Sequence, residues 1–176
     1  MKNRFLLASV LSAFALTGVA NAQTGSGTLS VTATVAGSIN LTFVTDPSGM
    51  AVTGTGTSTA SLPFGSVSMY GGSVPANVTK TLHGTTSFDL STPFDVKVDL
   101  ANSTSATYTL TATLTTADAV NKWFISGTDI SSAAGFALTA TGEYGTATPY
   151  TLKINVPASE AAGPISNSIG FTAVGA

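Results

Sequence analysis

Asp95 and Asp99, set either side of Lys97 in the run from Phe94 to Leu100, come nearest in this chain to a catalytic carboxylate pair. On an extended strand they stand about 13 Å apart with Lys97 between them on the same face. Two-carboxylate glycoside hydrolysis uses a shorter separation. The pattern therefore reads as a solvated strand face whose charges discourage edge pairing. His83 is the single histidine and there is no cysteine, so thiol chemistry is excluded and a zinc site of the usual kind lacks ligands. As a base toward one of the many hydroxyls, His83 would need a placed nucleophile. No Gly-x-Ser-x-Gly elbow supplies one, and it reads as a surface histidine. Asp46, Asp118 and Asp129 fall in expected loops where a hard cation could find oxygen ligands, but none lies in a dense Asp/Asn/Gly loop of EF-hand type. Asn40, Asn77 and Asn102 each open an Asn-x-Ser/Thr triplet, a pattern that so Thr-rich a chain contains by chance. Trp123 and Phe124, with Tyr70, Tyr144 and Tyr150 elsewhere, suggest either an aromatic platform for a sugar ring or a core anchor, and one tryptophan beside another aromatic is more often the latter. No catalytic, cofactor or metal residue is assigned on these grounds, and the expectation is a protein that is not an enzyme.

What must carry such residues is set first by the N-terminus. Lys2 and Arg4 precede an apolar stretch from Phe5 to Leu16, and Ala20-Asn21-Ala22 ends it with small residues at the two positions a signal peptidase reads. Residues 1–22 are thus expected to be a cleaved export signal, with the mature chain starting at Gln23. The apolar run is about a dozen residues, short of the roughly 20 that cross a bilayer. No transmembrane segment is expected, and the product belongs in the periplasm, on the cell surface or outside the cell. Losing Lys2 and Arg4 leaves four lysines against eight acids, a formal charge of about −4. Four scattered lysines without arginine cannot make a phosphate-binding patch, which excludes nucleic acid as a partner.

Period two dominates the rest. Leu29, Val31, Ala33 and Val35 alternate with Thr28, Ser30, Thr32 and Thr34, which predicts a strand over 28–35, and Ile39, Leu41 and Phe43 predict a second after the Ala36-Gly37-Ser38 break. Asp46-Pro47-Ser48-Gly49 is an expected turn. Residues 53–60 are low in complexity and read as a flexible loop or weak edge. Leu62–Val67 restores apolar residues, limited by Pro63 to an edge or a strand start. Phe94, Val96, Val98 and Leu100, then Tyr108, Leu110, Ala112 and Leu114, define the two clearest strands. The short polar link between them predicts an antiparallel hairpin. Trp123–Ile125, Phe136–Ala140, Leu152–Val156 and Ile169–Ala173 complete the set, and the helix-like stretch Ala158–Ala162 is too short to stand alone. Nine or ten short strands predict an all-β fold, one β-sandwich domain over residues 23–176.

The order of the motifs carries a resemblance. An alternating N-terminal strand, Leu62-x-Phe-Gly65, a middle hairpin, Tyr150-Thr-Leu-x-Ile-x-Val156 and Pro157-x-x-x-x-Ala-Gly-Pro-Ile-x-x-x-Ile169 together are similar to the spore coat U-like and archaic chaperone-usher pilin families. The pilins usually carry a disulfide, for which this chain has no cysteine. The resemblance implies an immunoglobulin-like, pilin-like sandwich, an exported subunit of surface fibres, and an N-terminal extension that completes a neighbour's sandwich. It also implies a homo-oligomer or fibre, with a periplasmic chaperone and usher as partners.

Residues 23–37 then become a candidate donor strand. Leu29, Val31, Ala33 and Val35 are the candidate partner-binding residues, filling alternate pockets of a neighbour while main-chain bonds give affinity. The other reading is that the segment pairs within its own sandwich. Two functions follow: a structural or adhesive cell-surface subunit, and a free-standing secreted binding module, with carbohydrate as ligand through Trp123.

Overall fold

The computed structural model describes residues 29–176. The expected export signal, residues 1–22, lies outside them, as does Thr28. The chain divides into two units after Thr34, and the fold is that of the second. Its strands are β1 (Ser38–Val44), β2 (Thr79–His83), β3 (Ser87–Ala101), β4 (Tyr108–Leu114), β5 (Lys122–Ile125), β6 (Thr128–Asp129), β7 (Phe136–Gly142), β8 (Ala147–Pro157) and β9 (Ile169–Gly175). No helix occurs among the described residues.

Two antiparallel sheets result. One has the order β1-β3-β8-β5-β6, with β2 also paired to β3; the other has the order β7-β4-β9. The 15-residue β3 is the spine of the larger sheet, taking β2 along Ser87–Ser91 and β1 along Asp95–Ala101 on one side, and β8 on the other. Pro93 falls in the gap between the β1 and β2 pairings, where its missing N–H leaves no ladder bond unmade.

Period two places the core. Phe94, Val96 and Val98 on β3, Tyr108, Leu110, Ala112 and Leu114 on β4, and Leu152, Ile154 and Val156 on β8 are all buried in one continuous cluster. The rings of Phe43 and Phe94 from the larger sheet meet Phe171 of the smaller edge-on, at 5.2 and 5.9 Å between centroids. The two sheets thus share one apolar interior, the arrangement of a β-sandwich.

Several expectations are corrected. The clearest two strands do not form a hairpin: β3 lies in the larger sheet and β4 in the smaller, so Asn102–Thr107 carries the chain from one sheet to the other. An alternating strand states which face it buries and leaves open whether its neighbour sits beside it or across the core. Asn102 takes the left-handed conformation at φ 55° that starts this crossing. Leu62–Val67 forms no strand, yet Leu62, Phe64 and Val67 still pack on the core without a ladder. The 158–162 stretch, expected to be too short for a helix, forms none. Of the two readings of residues 53–60, flexible loop or weak edge, the weak edge is the one formed. Phe43 exchanges backbone bonds with them, its N–H donating to Thr57 O at 2.9 Å and its carbonyl accepting from Gly56 at 2.7 Å. Finally, the expected strand over 28–35 is not formed in the described part, since no ladder begins before Ser38.

Candidate functional site

The segment before β1 is defined by what it exposes. Leu29, Val31 and Val35 are 87, 79 and 71% exposed, and Ala33 is exposed as well. Alternation therefore survives in the residues while the strand it predicts has no ladder. Apolar side chains so open to water gain nothing from burial within this segment.

The sheet edges differ in how they meet water. The outer side of β1 is covered at Phe43 by residues 56 and 57, and the Thr45 N–H donates to Thr55 Oγ1 at 3.2 Å. On the smaller sheet, β7 pairs with β4 through a register that shifts twice between Tyr108 and Thr111, the irregularity by which edge strands avoid further pairing. β9 pairs with β4 in an unbroken register of seven residues, and no strand lies on its other side among the described residues. Its inward side chains, Ile169, Phe171 and Ala173, pack only partly on the core. Val174 is exposed.

The candidate chemical residues are dispersed. Asp99 pairs with Lys97 at 2.9 Å on the solvated face. Asp95 is different: its Oδ1 is buried without a hydrogen-bond partner, and the carboxyl of Asp46 lies within hydrogen-bonding reach. Burial first, then the Asp46 charge, pushes the Asp95 carboxyl above the usual range. Asp46 itself is held low by Ser48, whose hydroxyl and N–H donate to Oδ1 at 2.6 and 2.7 Å.

His83 is exposed and its Nε2 meets Asp89 Oδ2 at 3.0 Å. The other Asp89 oxygen accepts from Asn155 Nδ2 at 2.6 Å, and Lys153 stands 3.6 Å from Oδ2. Burial raises the Asp89 pKa, but the bonds from Asn155 and His83 and the charge of Lys153 outweigh it and hold the carboxyl low. Ser87, opposite His83 in register, accepts from Asn155 at 3.2 Å. The group is a cross-strand polar ladder over β2, β3 and β8, and its serine is not set up as a nucleophile.

Trp123 is a core anchor. It is buried, and its indole N–H donates to Asp118 Oδ2 at 2.8 Å. Asp118 Oδ1 accepts the N–H groups of Val120 and Asn121, and Asp129 Oδ1 accepts that of Ser131. Their oxygens thus serve the loops between strands. Burial would raise the Asp118 pKa, yet these bonds together hold it below the usual value. Tyr150 is buried, Tyr144 donates to Thr107 O at 3.0 Å and Tyr70 is exposed, so the aromatics form no common platform. Among the described residues, no three His, Cys, Asp or Glu side chains gather as a metal site, and no helix is long and apolar enough to cross a membrane.

Sequence reasoning missed Asp89, because the first half of β3 (Ser87–Pro93) mixes polar residues and proline. It also missed that Asp46 and Asp95, far apart in sequence, face each other. The only available signal was the Asp46-Pro-Ser-Gly turn at the end of an expected strand. No family model matches the chain, and neither curated proteins nor solved structures contain a match to it.

Proposed function

We propose that this chain is an exported structural or adhesive subunit of the cell surface, built into a fibre or coat by β-strand addition. Residues 29–35 of one copy lie along an open sheet edge of the next. The observation that carries this reading is the exposure of Leu29, Val31 and Val35, alternate residues of a segment patterned as a strand but, among the described residues, paired with none. Burying three such side chains in a neighbour is worth about 1.5–3 kcal/mol each before ordering costs. The receiving edge is β9, the regular edge, with Phe171 and Ile169 partly open beside it. The pilin-like resemblance points the same way and would make the fold immunoglobulin-like, with a periplasmic chaperone guarding the edge until assembly. The carbohydrate-binding alternative is weakened, because Trp123 is committed to the core.

The test is assembly of purified mature protein followed by size-exclusion chromatography and electron microscopy. Wild type should form oligomers or fibres, and Val31→Asp, which puts an unpaired charge among apolar groups, should abolish them while each subunit stays folded. A stable, monodisperse wild-type monomer would overturn the proposal.

A further inference from the structure

Asp46 ends the chain's exit from β1, and its turn is built onto β3 at one place. Gly49 sits against the Pro93 carbonyl so closely that a Cβ there would collide with it. The Met50 N–H donates to buried Thr92 Oγ1 at 2.9 Å, and Asn77 Nδ2 donates to Gly49 O at 2.9 Å. Under this turn lies Asp95, paired in register with Val44 of β1 and Pro149 of β8. Its Oδ1 is buried and partnerless, beside the carboxyl of Asp46. Two carboxylates at hydrogen-bonding range repel unless something positive lies between them.

We propose that Asp46 and Asp95 share one proton, forming an acid-tightened clasp that holds residues 46–61 over the free edge of β1. The surroundings leave few other candidates for neutralising the pair. On β3, Lys97 is engaged by Asp99 at 2.9 Å. Thr42 and Val44 of β1, and Ala147, Pro149 and Thr151 of β8, flank Asp95 on the same face without charge. The turn itself contributes Asp46 and no basic group. The proton resides on Asp95, the more buried partner, and is donated to Asp46, whose other oxygen is already fixed by Ser48.

The sign follows from the two directions. Asp95, raised by burial and by Asp46, stabilises the fold below its ordinary pKa, and that contribution is lost as pH rises through its raised folded value. Asp46, lowered by Ser48, stabilises above its ordinary value and loses that contribution as pH falls through its folded value. The clasp is therefore tightest from about pH 4 up to the raised pKa of Asp95, and loosens above it. What loosens is the strap whose Gly56 and Thr57 cap Phe43. This does not depend on strand donation.

The experiment compares wild type, Asp95→Asn and Asp46→Asn between pH 4 and 8. Asn at either position keeps the hydrogen bond without the second charge. Thermal melts should show Asp95→Asn above wild type by about 2–4 °C at pH 8 and level with it at pH 4. Amide-exchange protection of Phe43 and Gly56 should fall about tenfold in wild type as pH rises from 4 to 8, stay constant in Asp95→Asn, and fall less in Asp46→Asn, where burial alone still raises Asp95. A melting difference independent of pH would overturn the clasp. So would calcium raising the wild-type midpoint at pH 8 and not that of Asp95→Asn, since a cation would then fill the gap.

Discussion

Leu29–Val35 and Tyr108–Leu114 are written in the same pattern, an apolar residue alternating with threonine or serine, and they end in opposite states. In β4 the apolar set is wholly buried between β7 and β9; in the earlier segment Leu29, Val31 and Val35 are open to solvent and no ladder forms among the described residues. Period two therefore specifies a face that needs covering, and the covering comes from wherever a partner edge exists. For β4 the partners are in its own chain. For residues 29–35 we place the partner in another copy, and mutations at matched positions separate the two cases.

The largest effect is expected where β4 is most enclosed. Leu110→Ala should cost about 2–5 kcal/mol in denaturant melts, through lost burial and the cavity left behind, and Val98→Ala and Ile154→Ala should fall in the same range. Val31→Ala, the counterpart in the exposed segment, should leave the subunit's stability unchanged and weaken only assembly. Equal losses at Leu110 and Val31 would erase the distinction.

A smaller effect of opposite sign is expected at Tyr108. Its ring is fully buried, packed over Gly142 where no Cβ would fit, and its hydroxyl has no hydrogen-bond partner. Tyr108→Phe removes an unsatisfied polar group, so stability should hold or rise by about 1 kcal/mol. Thr111→Ala, on the outward face of the same strand, should stay within about 0.5 kcal/mol, and a larger loss would shift the strand's register by one.

Asp118 tests the loop that anchors Trp123. Its lowered pKa makes its contribution present above the ordinary carboxylate value and lost as pH falls through its folded value. Acidification below about pH 4 should therefore change Trp123 fluorescence in wild type before global unfolding. In Asp118→Asn, where the indole bond no longer titrates, that early change should vanish.

The edge strands explain which parts of the fold were legible. Strands β3, β4, β5, β8 and β9 stand out in the sequence because their inward residues are large and aliphatic or aromatic, and burial depends on residue type. β2, Thr79-Lys-Thr-Leu-His83, did not stand out. It lies at an edge, mostly exposed, and is held by main-chain pairing to β3 that any residue can make. The 53–60 segment was opaque for the same reason: its order comes from backbone bonds to Phe43. Trp123 as a core anchor was legible from its type, whereas Asp118 as its acceptor was not, because the bond depends on where a loop returns.

By itself, the order of residues determined the all-β class, the inward faces of the main strands, and the poverty of catalytic groups, since each follows from local periodicity or from which side chains are present at all. The tertiary structure alone decided that β3 and β4 belong to different sheets, that β1 is capped while β9 is open, and that Asp46 meets Asp95. Those are contacts between segments distant in the chain. An alternating strand fixes its buried face within a few residues, but its neighbour is chosen by the competition of all the strands for one core, and the carboxyl pair exists only because that competition laid the turn after β1 across the middle of β3.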